Sequence, residues 1–127
     1  MQKQVIETAN APAPIGPYSQ AVIHNNLLYL SGQVAIEPAT GELIMDSIAN
    51  QTHRVMQNIA AVLTAANTNF NNAIKTTIFL TDMSLFTEVN EVYGSYFTNS
   101  FPARETVAVK GLPKGVDVEI SMIVAIQ

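Results

Sequence analysis

The segment VDVEISMIVAI, residues 116–126, decides the fold of this chain. Its apolar residues recur at every second position from Val116 to Ile126, and this period of two predicts a β-strand whose one face is fully buried. The opposite face begins with Asp117 and Glu119 and becomes apolar at Ile123. A sheet face that turns apolar at one end predicts cover by another subunit.

Outward from this strand, hydrophobic periodicity predicts two helices and five more strands. Apolar residues at spacings of three and four predict a helix over Ser47 to Asn67. A second helix, capped by Asp82 or Ser84, is predicted from the stripe Phe86, Val89, Tyr93 and Phe97. Runs rich in β-branched and aromatic residues predict the strands Lys3 to Thr8, Ser19 to His24, Leu27 to Ser31, Ala73 to Leu80, Arg104 to Val109 and Val116 to Ile126. The order βββαβαββ predicts one α+β domain over residues 1–127, with two helices on one face of a mixed sheet.

Two turns are predicted to set the pairing of neighbouring strands. Asn25-Asn26 is typical of a two-residue hairpin turn, because Asn tolerates positive φ. The segment from Lys110 to Gly115 predicts a second, final hairpin. Its register places Arg104 and Thr106 on the face of Glu119, with Arg104 and Glu119 as diagonal neighbours about 7–8 Å apart at Cα.

The predicted Arg104–Glu119 pair has two interpretations, and both stay open at this point. One is a structural salt bridge across the hairpin. The other is a functional site, in which the guanidinium binds a substrate carboxylate through two donors and the glutamate acts as an acid or base. Partial burial would raise the pKa of such a glutamate toward neutrality.

Four further residues are weaker candidates for a binding site. Tyr18 follows the rigid, proline-rich segment 11–17 and could simply pack. Ser31 and Gly32 end a strand, where a glycine indicates either close approach of a ligand or a β-bulge. Asn90 lies on the second predicted helix and could simply be exposed.

Composition excludes several classes of function. The net charge is −4 with only six Lys and Arg, which are scattered, so we expect no nucleic-acid partner. Without cysteine or ligands at metal spacing, and without a phosphate-binding or dinucleotide motif, we expect neither a metal nor a cofactor. The start of the chain lacks a signal-peptide pattern, and its longest apolar stretch is too short for a membrane, which predicts a cytoplasmic protein. A hydrophobic content of 48% with only 13% charged residues favours an oligomer.

Taken together, several segments resemble the RidA family along nearly the whole chain. The matching segments are residues 13–21 (APIGPYSQA), 29–33 (YLSGQ), 90–93 (NEVY), 101–104 (FPAR), 112–115 (LPKG) and 118–120 (VEI). Each is short, but their occurrence in the family's order is specific.

The resemblance implies a chorismate-mutase-like fold, a homotrimer with clefts between subunits, and no cofactor. It also implies hydrolysis of 2-aminoacrylate, 2-iminopropanoate and 2-iminobutanoate to keto acids and ammonia. In the family, the residue matching Arg104 binds the substrate carboxylate, and the one matching Glu119 positions or activates water. The other positions implied to contact substrate are Tyr18, Ser31, Gly32, Asn90 and Thr106.

One departure and two alternatives accompany this resemblance. Many bacterial members carry a cysteine where this chain has Thr106, so no mechanism here can use a thiol. A non-catalytic protein that binds small carboxylates in the same clefts is the main alternative, because a fold does not fix a function. A ribonuclease fits the acidic composition poorly.

Overall fold

The computed structural model of the chain describes residues 2–126, and within that range it contains six β-strands and two α-helices. Three short 3-10 turns, at Phe70–Asn72, Met83–Leu85 and Pro113–Gly115, join them. The elements in chain order are β1 (Gln4–Ile6), β2 (Ala21–His24), β3 (Leu27–Gln33), α1 (Ile48–Ala65), β4 (Ala73–Leu80), α2 (Phe86–Gly94), β5 (Ala103–Ala108) and β6 (Val118–Ala125).

All six strands form one sheet in the order β1-β2-β3-β6-β4-β5. Neighbouring strands are antiparallel except β4 and β5, which run parallel because α2 forms the crossover between them. The predicted α+β class and the mixed sheet are therefore confirmed.

Helices α1 and α2 cover one face of the sheet, as the alternation of the last strand predicts. Val118, Ile120, Met122 and Val124 of β6 are almost completely buried on that face. They form one core with the inner stripe of α1, whose members Val55, Met56, Ile59, Val62 and Leu63 are at most 1% exposed.

The two-residue turn between β2 and β3 is also confirmed. Asn25 and Asn26 have φ values of 52° and 68°, the left-handed conformation that this hairpin requires. The turn fixes the β2–β3 register, in which His24 pairs with Leu27.

The predicted final hairpin is wrong. β5 pairs in parallel with β4, with Arg104 beside Thr76, and β6 lies between β3 and β4. The physical reason is burial. Every second residue of β6 is buried, which suits a strand with a neighbour on each side, whereas β5 is largely exposed and suits an edge. Sequence proximity favoured a β5–β6 pair, but the central position buries more of β6.

Several element ends differ from the prediction because side chains cap or terminate them. Strand β1 stops at Ile6, and the amide of Thr8 instead donates to the side-chain oxygen of Gln20 at 2.7 Å. The prediction that Asp82 or Ser84 caps α2 is wrong, because the N-cap of α2 is Leu85, which makes no side-chain bond. Asp82 instead caps the 3-10 turn Met83–Leu85 by accepting from the backbone amide of Ser84 at 2.8 Å, and this bond lowers the pKa of Asp82.

The sheet face opposite the helices, which we call the open face, carries both polar and apolar side chains. Tyr29 and Val107 are 43% and 42% exposed there, beside an ion pair of 3.3 Å between Lys75 and Glu105. Within residues 2–126, no helix is both long enough and apolar enough to cross a membrane.

Candidate functional site

Glu119 lies on the open face in a cavity of about 350 Å³. Its strand, β6, lies next to β3, whose pairing with β6 shifts register between Leu30 and Gln33. This irregularity confirms the predicted bulge at Gly32 and brings that glycine against Glu119. Of the two interpretations of Gly32, the bulge is thus confirmed, and close approach of a ligand stays a prediction.

Gly32 provides the space that the Glu119 side chain occupies. A Cβ on Gly32 would lie only 2.7 Å from the carboxyl carbon of Glu119, closer than carbon atoms pack. Any side chain at position 32 would therefore displace the Glu119 carboxylate.

The environment of Glu119 favours proton uptake. Burial raises the pKa of its carboxyl group above the ordinary glutamate value. Neither of the two ion pairs found among residues 2–126 involves Glu119. A carboxylate with a raised pKa and no cationic partner suits a general base.

Ser31 and Tyr18 also contribute polar groups to this cavity, which we call the Glu119 cleft. The hydroxyl of Ser31 donates to the carbonyl of Ser19 at 2.6 Å, so its oxygen can still accept a hydrogen bond. The Tyr18 side chain is half-exposed at the rim, where its hydroxyl accepts from the amide of Ile15 at 3.4 Å.

Arg104 lies on the other face of the sheet. Its strand partner, Thr76, is completely buried beneath α2, where the Thr76 hydroxyl and the Tyr93 hydroxyl are 2.7 Å apart. Glu119 instead pairs with Phe79, whose neighbours in β4 point toward the helices. The prediction that Arg104 and Glu119 are neighbours within one chain is therefore wrong, and so is the salt-bridge interpretation.

Residues of α2 hold the Arg104 guanidinium in a fixed orientation. One of its terminal nitrogens donates to Oδ1 of Asn90 at 2.5 Å. Its central carbon lies 5.5 Å from the ring centre of Phe86 and 5.3 Å from that of Tyr93, within the range of cation–π attraction. The remaining guanidinium donors are available to a ligand, since Arg104 is exposed.

A second cavity of about 440 Å³, which we call the Arg104 cleft, adjoins this guanidinium. Its lining includes Asn90 and Phe101, and the Phe101 side chain is 70% exposed. On the same side of β5, the hydroxyl of Thr106 is buried without a hydrogen-bond partner among the described residues.

The structure thus divides the seven candidate residues into two groups. The Glu119 cleft brings together Tyr18, Ser31, Gly32 and Glu119. The side of β5 that faces α2 brings together Asn90, Arg104 and Thr106. Among these seven candidates, the negative charge belongs to the first set and the positive charge to the second.

Sequence reasoning missed two residues of the Glu119 cleft. Lys114 lines it with a left-handed backbone, φ 58°, which is uncommon for a residue with a side chain. Gln20 is buried and bonds the backbone of Thr8 and Pro12, which fixes the proline-rich segment along the cleft. The segments LPKG and GPYSQ were the available signals, but neither indicates a role for these side chains.

Two helices on one face of a mixed six-stranded sheet place the chain in a class of small α+β proteins. Within that class, the chain belongs to the family described as Endoribonuclease L-PSP, whose sequence profile matches residues 8–126. This confirms the RidA-type resemblance.

Three relatives illustrate the similarity. The chain is 46% identical over 121 residues to the 2-iminobutanoate/2-iminopropanoate deaminase of Bos taurus, covering 95% of this chain and 88% of that protein. It is 50% identical to a protein of unknown function of the conserved Rid family from Yersinia pestis, with a TM-score of 0.96 over 98% and 100% of the two chains. It is 37% identical to E. coli TdcF with bound serine, with a TM-score of 0.93 over 98% and 99% of the chains.

Proposed function

We propose that this protein is a cytoplasmic, cofactor-independent deaminase of 2-aminoacrylate, 2-iminopropanoate and 2-iminobutanoate. The observation that carries this proposal is the Glu119 carboxylate, which is partly buried in a cleft, has a raised pKa, and forms no ion pair with any of residues 2–126. A relative that is 46% identical carries the name of this deaminase, which supports the same substrate class.

We further propose that the active site forms between subunits of a homotrimer. Arg104 and Glu119 lie on opposite faces of one sheet, so they can meet on one small ligand only when two copies of the chain meet. The Arg104 cleft of one subunit would then close the Glu119 cleft of its neighbour. The low overall charge and the partly apolar open face support such an assembly.

In the proposed reaction, Arg104 binds the substrate carboxylate through two parallel N–H donors, with Asn90 holding the guanidinium in place. Glu119 removes a proton from water as the water oxygen bonds to C2 of the imine, the C=N electron pair moves to the nitrogen, and Glu119 then gives its proton to that nitrogen. The hydroxyl proton of the resulting carbinolamine passes through Glu119 to the nitrogen, and ammonia leaves as the C2 oxygen forms the carbonyl, which yields one keto acid and one ammonia per imine and water. An enamine first gains a proton at C3 and loses one from its nitrogen, and thereby becomes the imine.

The remaining candidates would orient the substrate. Ser31 can accept a hydrogen bond from the imine nitrogen, and Tyr18 can cover the ligand at the rim. The unpaired hydroxyl of Thr106 is a candidate partner for the substrate or the attacking water, since a buried hydroxyl without a partner is costly.

A coupled assay tests the proposed activity. A PLP-dependent threonine dehydratase generates 2-iminobutanoate, and ammonia release is recorded with and without this protein. We expect the protein to accelerate release beyond spontaneous hydrolysis. An unchanged rate at micromolar protein would contradict the proposed activity.

The alternative function is carboxylate binding without turnover. The structure of TdcF with bound serine favours it, because that 37% identical protein holds a small amino acid. Titration calorimetry with serine and 2-oxobutanoate distinguishes the two functions: binding combined with no acceleration of imine hydrolysis would support the alternative. We retain the prediction of no nucleic-acid partner despite the family's description, and salt-dependent RNA binding would contradict it.

A further inference from the structure

The apolar wall of the Glu119 cleft is formed by the segment that directly follows β3. Val34 and Ile36 both line the cavity, and Ala35 between them is completely buried. Within residues 2–126, the strand pairing of this segment is limited to an isolated bridge from Ile36 to Leu43. The position of the wall must therefore depend largely on contacts other than strand pairing.

Asn58 of α1 provides these contacts from the core side. Its side chain is completely buried, and its Nδ2 donates to the carbonyl of Val34 at 3.1 Å and to that of Ile36 at 2.9 Å. Both donors of one amide group thus bind the backbone of the wall.

A second pair of side chains continues this connection toward the surface. Nε of Arg54 donates to Oδ1 of Asn58 at 3.2 Å, which fixes the orientation of the amide. The terminal nitrogen Nη1 of Arg54 bonds Oε2 of Glu37 at 3.0 Å, directly after the wall segment. α1 is therefore joined to Val34, Ile36 and Glu37 through one network.

We infer that Asn58 is a positioning residue that sets the apolar wall of the Glu119 cleft and so determines which substrate side chains the site prefers. This inference rests on the proposed function and extends it. Asn58 touches no substrate; it acts through the backbone that carries Val34 and Ile36. An apolar wall discriminates by about tenfold or more for one methylene, provided that it is held against the ligand.

The variant Asn58→Asp tests this role because it keeps the shape but replaces both donors with acceptors that face two carbonyls. We expect kcat/KM to favour 2-iminobutanoate over 2-iminopropanoate in the wild type. In Asn58→Asp this ratio should fall about tenfold, mainly through KM, while the pH dependence of kcat stays unchanged. Gln57→Glu is the matched control: it makes the same amide-to-acid change on an exposed neighbour and should leave the ratio unaltered.

A second variant decides the matter if Asn58→Asp does not fold. Arg54→Met keeps the aliphatic stem but removes the donors to Asn58 and Glu37, and should shift the ratio in the same direction by a smaller factor. An unchanged ratio in the folded variant overturns the inference.

Turnover by the wild-type protein tests the proposed function separately from the role of Asn58. Absence of wild-type turnover would contradict the deaminase assignment alone. Dissociation constants of 2-oxobutanoate and 2-oxopropanoate, measured by titration, then replace the kinetic ratio. The same loss of preference in Asn58→Asp supports the positioning role, and an equal preference in both proteins overturns it.

Discussion

Glu119 and Gly32 pack directly against each other. The carboxylate occupies the volume that a side chain at position 32 would need. The same close packing removes water from the carboxyl group and raises its pKa. The role proposed for Glu119 therefore depends on the contact between two strands, and two predictions at the residue scale follow from it.

Glu119→Gln should remove the acid limb of the pH–rate profile. A base acts only when ionised, so the wild-type rate should rise with pH through a midpoint above the ordinary glutamate pKa, and should fall as pH drops below that midpoint. Glutamine cannot accept the proton, so the rate should fall by about 10²–10⁴-fold and lose this pH dependence. Steady-state ammonia release between pH 4 and pH 8 measures both effects, and a wild-type profile in Glu119→Gln would exclude it as the base.

Gly32→Ala should reduce activity without unfolding the protein. The added methyl group meets a flexible side chain, so Glu119 can rotate away while the sheet remains. We expect a loss on the order of 10²-fold in kcat with little change in melting temperature. Gly111→Ala is the control, because nothing lies within 4 Å of its added Cβ. Equal activity of the two variants would show that the contact does not position Glu119.

At the level of elements, α1 connects the core to the cleft. Its inner stripe covers the sheet, and its buried Asn58 holds the wall beside Glu119. The helix begins at Ile48 because Ser47 is extended and its hydroxyl accepts from the amide of Asn50 at 3.0 Å. The start of α1 is therefore encoded locally.

Ser47→Ala should destabilise the protein by about 1 kcal/mol, since alanine leaves that amide without its cap. Ser47→Asp retains an acceptor at the helix N-terminus and should be close to the wild type. Urea unfolding at fixed protein concentration compares the three proteins, because the stability of an oligomer depends on concentration. Identical midpoints for Ser47→Ala and the wild type would show that the cap does not contribute.

At the scale of the whole molecule, the sheet separates the two charged groups that the proposed reaction needs. No rotation of side chains brings Arg104 around the sheet to Glu119, because they project from opposite faces. In the proposed assembly, a second copy of the chain places its Arg104 beside Glu119 of the first. We expect sedimentation equilibrium to give about three times 13.7 kDa, and a monomer at micromolar concentration would contradict the shared site.

Mixing two inactive variants tests whether the site is shared. Arg104→Ala and Glu119→Gln should each be inactive. In trimers assembled from both variants, however, some clefts combine the intact Arg104 of one subunit with the intact Glu119 of its neighbour. Random assembly should restore about one-quarter of the wild-type rate. Mixing Glu119→Gln with Gly32→Ala is the control, since both changes affect the same half of the cleft and should not complement. No recovery in the first mixture would place the two residues in separate sites.

The sequence by itself determined the elements and their faces. The period of two in residues 116–126 identified the buried face of β6, the spacing of three and four identified α1, and Asn25-Asn26 identified the turn that follows β2. These features are local, because one turn of helix or two residues of strand suffice to express them. The short motifs also indicated all seven candidate residues, although their roles remain predictions.

Only the tertiary structure decided which strands pair and which residues meet. Competition for the central position of the sheet placed β6 between β3 and β4 and left β5 at the edge, a choice that depends on total burial rather than on neighbouring residues. That choice placed Arg104 on the face opposite Glu119 and so separated the predicted pair. Gly32 and Glu119, which are in contact, lie 87 positions apart in the sequence, and Asn58 lies at least 22 positions from the two carbonyl groups that it binds. No local pattern in the sequence encodes contacts over such separations.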